Sequence, residues 1–394
     1  MYNFIYNTPT KVIFGKDSEL QAGKELKSRG ATVVLIHYGS ERIVQSGLLD
    51  RVKKVIENEG IKTLIIGGAK PNPRLSWVIE SIQDARKAGV NYILAIGGGS
   101  VIDSSKAIGY GLFNNGNVWD FFAKRRELKG TIPVGCILTN AAAGSEMSDS
   151  CVITNDYRDE KVGLSSPFGR CTFALENPAL TLTCPKYSSV SGGFDMAMHT
   201  IERYFVNGSR SLLTDSLAEG LIKTVFTEIK AIIKDPQDLD ARGNLMWASS
   251  LAHNGLTACG NEFSGDWACH QFSHQISAFF DTAHGASIAA VWKHWALYVY
   301  KENPEIFAQF GRQIFALKSS GDVQTDALKA INAMEEEIKS IGLPTSISEL
   351  IGRKLTDEEL DKLAFGCSYK NTRTIGNIKV LNQDDMRAVF AAAN

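Results

Sequence analysis

The sequence predicts an α/β half built on a parallel sheet, followed by an all-helical half. Three observations carry this. Short apolar runs alternate with amphipathic stretches from residue 10 to about residue 180. Long helical patterns take over from about Lys186. Between them lies a turn-rich stretch, ENPALTLTCP (176–185). A chain of 394 residues also exceeds what one hydrophobic core usually serves. We place the domains at 1–184 and 185–394.

In the first half, TVVLIHYG (32–39) is a β-branched run that ends in glycine, the signature of a buried strand. A helical stretch with apolar Leu48, Leu49, Val52 and Val55 follows it. A second strand, KTLIIGG (62–68), a helix over about 76–88 and a third strand, NYILAIGGG (91–99), continue the alternation. TIPVGCILT (131–139) adds a fourth strand. Strands that are apolar throughout fit a parallel sheet covered on both faces. In the second half, helical periodicity runs over 188–205, 211–233, 240–258, 267–278 and 287–300. The mixed segment 318–340 reads as a solvated amphipathic helix.

Composition narrows the partner. Lys plus Arg (42) balance Asp plus Glu (43), so no basic field points to nucleic acid or to an anionic membrane. The expected partner is a small molecule. Seven cysteines without CxxC spacing argue against a disulfide framework and for a reducing compartment. Cys269 stands beside a candidate ligand and is the thiol to watch for oxidation. The opening MYNFIYNTPTKVIFG has no basic-then-apolar block, and no apolar run approaches the ~20 residues of a membrane helix. A cytoplasmic location is expected.

Two segments carry chemistry. IGGGSVIDSSK (96–106) sets Gly97, Gly98 and Gly99 at the end of a strand, immediately before a helix. Glycines admit a ligand close to the backbone, and a helix N-terminus attracts a pyrophosphate. Ser100 is placed to cap that helix, and Asp103 and Lys106 lie in its first turns. The GxGxxG spacing of the usual dinucleotide fingerprint is absent. TNAAAGSEMS (139–148), after another strand, is a candidate far wall of the same crevice.

The second segment is GGFDMAMHTIERY (192–204), where Asp195 and His199 stand four apart on one helix face. DWACHQFSHQISAFFDTAHG (266–285) adds His270, His274 and His284. One carboxylate with imidazoles suits Fe(II) or Zn(II), whereas Mg and Ca prefer oxygen cages. Spacing alone does not choose among His270, His274 and His284. His37, His253 and His294 have no such company and take ordinary roles.

Together these stretches resemble the iron-containing (group III) alcohol dehydrogenase family, especially its NADPH-linked butanol dehydrogenase branch. The resemblance runs over nearly the whole chain, from NTPTKVIFGK (7–16) through AAGSEMSDSCVITN (142–155) to TIGNIKVLNQDD (374–385). It implies an N-terminal dinucleotide-binding domain and a helical metal-binding catalytic domain, an architecture shared with dehydroquinate synthase. It implies Asp195, His199, His270 and His284 as metal ligands, with His274 toward nicotinamide and substrate. It implies Gly97, Gly98, Gly99, Ser100 and Asp103 at the pyrophosphate, Thr139, Asn140 and Ser148 along the nucleotide, and Lys161 near the nicotinamide ribose.

Many NAD-linked members carry an Asp after the first strand. Here HYGSER (37–42) offers Gly39 and Ser40 instead, which makes room for a 2′-phosphate and favours NADP(H) over NAD(H). Asn140 replaces a common Thr, and SHQIS (273–277) replaces EHELS.

The implied activity is hydride transfer between NADP(H) and short- to medium-chain alcohols or aldehydes of the butanol/butanal type. One divalent metal, Fe(II) or Zn(II), acts as Lewis acid and His274 relays a proton. Phe194, Met196, Met198, Phe263, Trp267, Phe272 and Phe279 suggest an apolar pocket. A metal-dependent lyase or synthase on the same architecture is the alternative, and a homodimer is a family-level expectation.

Overall fold

The computed structural model describes residues 1–158 and 160–394. They form two compact units, Asn7–Cys184 with Gln237–Asn254, and Met1–Tyr6 with Pro185–Pro236 and Gly255–Asn394. The expected ranges were continuous, whereas the units exchange two segments.

The first unit is a sheet covered by helices. Its strands are β1 (Lys11–Phe14), β2 (Val33–Tyr38), β3 (Lys62–Ile66), β4 (Tyr92–Gly97), β5 (Val134–Leu138), β6 (Ser150–Asn155), β7 (Glu160–Ser165) and β8 (Phe173–Glu176). Six of them pair in parallel in the order β1-β8-β5-β4-β2-β3, and β6 and β7 form a separate antiparallel pair. The helices are α1 (Ala22–Ser28), α2 (Arg42–Gln45), α3 (Leu48–Glu57), α4 (Leu75–Lys87), α5 (Gly99–Phe113) and α6 (Trp119–Phe122).

Strand periodicity divides the core. Val34, Ile36, Leu94, Ile96, Ile137 and Leu175 pack with Leu26, Leu48, Val52 and Ile56 on one face. Leu35, Ile93, Ala95, Cys136 and Ala174 pack with Val78, Ile82, Ile102 and Ile108 on the other. Successive residues point to opposite faces, so the all-apolar strands serve both layers. Each fully buried Leu, Ile or Val contributes about 1.5–3 kcal/mol.

The second unit is helical. It begins with α7 (Lys186–Tyr204), after Pro185, and α8 (Leu212–Lys234), whose N-cap Ser211 accepts from the Thr214 N–H. The chain then returns to the sheet unit with α9 (Leu239–Ala252). Back in the helical unit come α10 (Ala268–Phe280), α11 (His284–Val299), α12 (Pro304–Phe315), α13 (Val323–Ser340), α14 (Ile347–Ile351), α15 (Asp357–Cys367) and α16 (Gln383–Ala392). Among the described residues, no helix is long and apolar enough to cross a membrane.

Two helices are shorter than their periodicity suggests. The expected 240–258 stops at Ala252, because Gly255 takes φ +93° and begins a 3-10 turn. The expected 318–340 starts only at Val323: Asp322 caps it, and the Asp326 carboxylate folds Ser319 and Ser320 back into a turn.

Candidate metal and nucleotide sites

In the helical unit, α7 puts Asp195, His199 and Glu202 on one face at i, i+4 and i+7. α10 supplies His270 and His274, and α11 begins with His284. Gly285 fixes that last placement. A Cβ there would lie 2.0 Å from the Ser191 carbonyl oxygen, so only glycine lets the start of α11 approach α7 this closely.

Three imidazole nitrogens surround one carboxylate oxygen. Asp195 Oδ1 is 3.5 Å from His270 Nε2, 3.8 Å from His284 Nε2 and 3.9 Å from His199 Nδ1. Tetrahedral ligand atoms at ~2.1 Å from an ion lie roughly 3.4 Å apart, so these separations suit a shared metal. Asp195, His199 and His270 are buried, and the His284 side chain is the most exposed of the four, at 24%. Asp195 Oδ1 and His270 Nε2 are buried without a hydrogen-bond partner. Orphaned buried polar atoms are costly, and a cation would satisfy both. The donor set therefore fits a divalent N/O-liganded metal.

The surroundings are negative. Burial lowers the His270 pKa, but Glu202 and Asp195 outweigh it and raise it to about 9. Asp266, buried just before α10, is pushed up to about 7 by burial and then by Glu202. It accepts from the Ala268, Asn377 and Ile378 N–H groups, which pins the 376–378 turn to the start of α10. His274 is buried, with its ring stacked 5.3 Å from that of His284. The side chain of Trp267 packs 5.3 Å from His270, with the Arg203 guanidinium 4.6 Å from the indole centroid. Of the expected apolar pocket residues, Phe194, Met196, Met198 and Phe272 are fully buried core, whereas Phe263 and Phe279 are exposed. Cys269 is also fully buried and its thiol is pushed well up by burial, which removes it as an oxidation candidate.

In the sheet unit, the glycines occupy the end of β4 and the start of α5. A Cβ on Gly98 would come within 3.2 Å of Asn140, and one on Gly99 within 3.3 Å of Ala143, so the two small-residue stretches do adjoin. Gly39 follows β2 and lies against the Ala69 carbonyl, while Ser40 is exposed and accepts from Arg42 Nε at 3.2 Å. Ser100 is the second residue of α5, whose N-cap is Gly98 with no side-chain cap, so it does not cap the helix as expected. It is part-exposed, as are Thr139 and Asn140 after β5.

Three expected contacts have other engagements. Asp103 accepts from Ser145 Oγ (2.5 Å) and the Val152 N–H (2.9 Å). Ser148 is fully buried and accepts from the Ser150 N–H. Lys161 is buried and donates to Asn72 Oδ1 at 2.8 Å. Lys106, fully buried, donates to Ser145, Ser148 and Ser150 oxygens and so holds the 145–150 loop. His37 is a core hydrogen-bonder between Ile66 O and Ser104 Oγ, with its pKa lowered to about 4 by burial.

Sequence reasoning passed over Glu202 and Ser273. Glu202 accepts from the Cys269 N–H and His270 Nδ1, and Ser273 Oγ is 3.0 Å from His284 Nδ1. The i+7 phase of Glu202 with Asp195 was the available signal.

The architecture is a two-part α/β plus helical protein with a metal-type donor cluster in its helical part. Residues 9–178 match the iron-containing alcohol dehydrogenase model, and residues 189–394 match the C-terminal model of the Fe-containing alcohol dehydrogenase family. The chain belongs to the iron-containing alcohol dehydrogenase family. It is 33% identical to the NADH-dependent butanol dehydrogenase A of Clostridium acetobutylicum, over 99% of both chains. It is 31% identical to the NADPH-dependent aldehyde reductase YqhD of Escherichia coli, over 89% of both. The crystal structure of NADH-dependent butanol dehydrogenase A from Thermotoga maritima superposes with a TM-score of 0.95 at 35% identity, covering 100% of this chain and 99% of that one.

Proposed function

We propose that the chain is a metal-dependent alcohol dehydrogenase or aldehyde reductase that holds its metal through Asp195, His199, His270 and His284. The convergence of three imidazole nitrogens on one buried carboxylate oxygen carries this reading. When bound, a divalent metal supplies Lewis acidity toward the substrate oxygen, and a nicotinamide supplies or takes the hydride. His284, the most exposed member, marks the side from which a substrate oxygen reaches the cluster. His274, stacked on His284, is assigned the proton relay. If His274→Ala left both rate and pH profile unchanged, that role would go. The three relatives described above are all named for alcohol or aldehyde redox chemistry, which supports this reading over a lyase.

The sheet unit takes the cofactor at Gly97–Gly99 and Ser100, with Thr139 and Asn140 beside them. NADP(H) is the proposed partner. The end of β2 offers Gly39 and Ser40 rather than a ribose-binding carboxylate, and the exposed Arg42 guanidinium hydrogen-bonds to the Ser40 hydroxyl. A 2′-phosphate would gain charge-assisted bonds there. Of the relatives described above, the Clostridium acetobutylicum and Thermotoga maritima butanol dehydrogenases are named for NADH and the Escherichia coli reductase for NADPH.

The test is metal analysis of the purified protein together with NADPH and NADH oxidation across a panel of aldehydes that includes butanal. Stoichiometric iron or zinc and NADPH-linked turnover are expected, both lost in Asp195→Ala and His284→Ala. Full activity in both variants would overturn the reading.

A further inference from the structure

We infer that Glu202 is the positioning residue that selects which nitrogen of His270 faces the metal, and that Ser273 does the same for His284. This deepens the metal reading and rests on it.

Glu202 has no exposed surface, and its two oxygens are committed to separate donors. One accepts from the Cys269 N–H at 2.6 Å, the other from His270 Nδ1 at 2.5 Å. A carboxylate has no hydrogen to donate, so Nδ1 must carry one. A neutral imidazole carries a single N–H, and Nε2 is then left as a lone pair. Nε2 is the atom that lies 3.5 Å from Asp195 Oδ1, buried without a hydrogen-bond partner.

The same logic reaches His284 through a hydroxyl. Ser273 Oγ donates its one hydrogen to the His270 carbonyl at 2.9 Å, which can only accept. Toward His284 Nδ1, at 3.0 Å, the oxygen is then an acceptor, so Nδ1 carries the hydrogen. His284 Nε2 is again the lone-pair atom, 3.8 Å from Asp195 Oδ1. Two rings are thus set in the ligating tautomer by hydrogen bonds made away from the metal. Such outer partners typically change metal affinity by about 10–100-fold when removed.

A purely structural role would stop at the Cys269 N–H, where Glu202 anchors the first turn of α10. Glu202→Gln separates the two roles. The amide is isosteric, and its oxygen still accepts from Cys269, but its NH2 then meets Nδ1 as a donor and forces the other tautomer.

The experiment measures Zn(II) affinity by competition with a chelating dye for the wild type, E202Q, E202D and S273A, with D195A as the site control. Metal-free melting and far-ultraviolet circular dichroism report the fold. E202Q should bind zinc about 10–100-fold more weakly with little change in metal-free melting, S273A should lose less, and E202D should recover most of the affinity. Imidazole 15N shifts of metal-free protein at pH 10, assigned against H270A, should show His270 protonated at Nδ1 in the wild type and at Nε2 in E202Q.

Equal zinc affinity in wild type and E202Q, or an unchanged His270 tautomer, would overturn the inference. Zinc affinity no tighter in wild type than in D195A would instead remove the metal reading, and the 15N shifts would still decide the tautomer. Should E202Q fail to fold, E202D and S273A carry the test: affinity unchanged in S273A and lost in E202D would count against positioning.

Discussion

Each unit buries a pair of carboxylates, and the two pairs are kept company differently. In the helical unit, Asp195 and Glu202 lie among His199, His270 and His284. In the sheet unit, Glu146 and Glu176 share one hydroxyl, with Ser250 Oγ 2.7 Å from the first and 2.8 Å from the second. Ser249 also lies near Glu146, and the Lys106 charge acts on it without contact. Burial raises both pKa values in this second pair, and Glu146 helps push Glu176 up to about 8. Three imidazole lone pairs and the Asp195 carboxylate would offer a cation four ligands. Serine hydroxyls offer none of comparable strength, so the cheaper neutralisation is a proton. Buried negative charge is therefore no sign of a metal site until its neighbours are counted.

The largest test of this contrast is the pH dependence of metal binding. His270 has a metal-free pKa of about 9, so below that pH zinc must displace a proton. Zinc affinity should fall about tenfold per pH unit from pH 8 to pH 6, read by dye competition. A flat profile would mean that the carboxylates do not hold the ring as proposed.

The Glu146–Glu176 pair should show the opposite habit, indifferent to zinc and sensitive to alkali. Glu176 has a folded pKa of about 8 against an ordinary value of 4.5, so the folded state keeps a proton that the unfolded chain releases. Its contribution is fully present below about pH 4.5 and is lost as pH rises through about 8. Glu176→Gln should remove that loss. Denaturant midpoints at pH 5 and pH 8.5 should nearly coincide with wild type at the lower pH. At the higher pH the variant should be more stable, by an amount on the order of 2 kcal/mol.

The two pairs also differ in how far the sequence disclosed them. Asp195 and His199 are legible because one helix turn joins them, and the histidines of 266–285 stand out by density. Glu202 was in phase with both and still missed, since a lone Glu on a helix reads as a solvated residue. Glu146, Glu176 and Ser250 were not legible at all. They meet only because β8 pairs beside β5 and because α9 folds back onto the sheet unit. Nothing local in α9 says which surface will bury it, and four-residue strands such as β1 and β8 are too short for periodicity to find. The glycine turn at 97–99 was legible, but the inward engagement of Asp103 depends on Ser145 and Val152, more than forty residues further on.

The smallest effect separates a shared proton from two independent ones. If Glu146 and Glu176 are coupled through Ser250, one amide already removes the repulsion, and a second has little left to relieve. Glu146→Gln and Glu176→Gln should each stabilise the chain at pH 8.5, yet the double variant should gain less than the sum by roughly 1 kcal/mol. Strict additivity would mean that each carboxyl is neutralised on its own, with Ser250 only a neighbour. The contrast with the helical unit would then reduce to ligand type alone, because there the proposed metal would make the four side chains a single unit, and any one deletion should cost nearly the whole site.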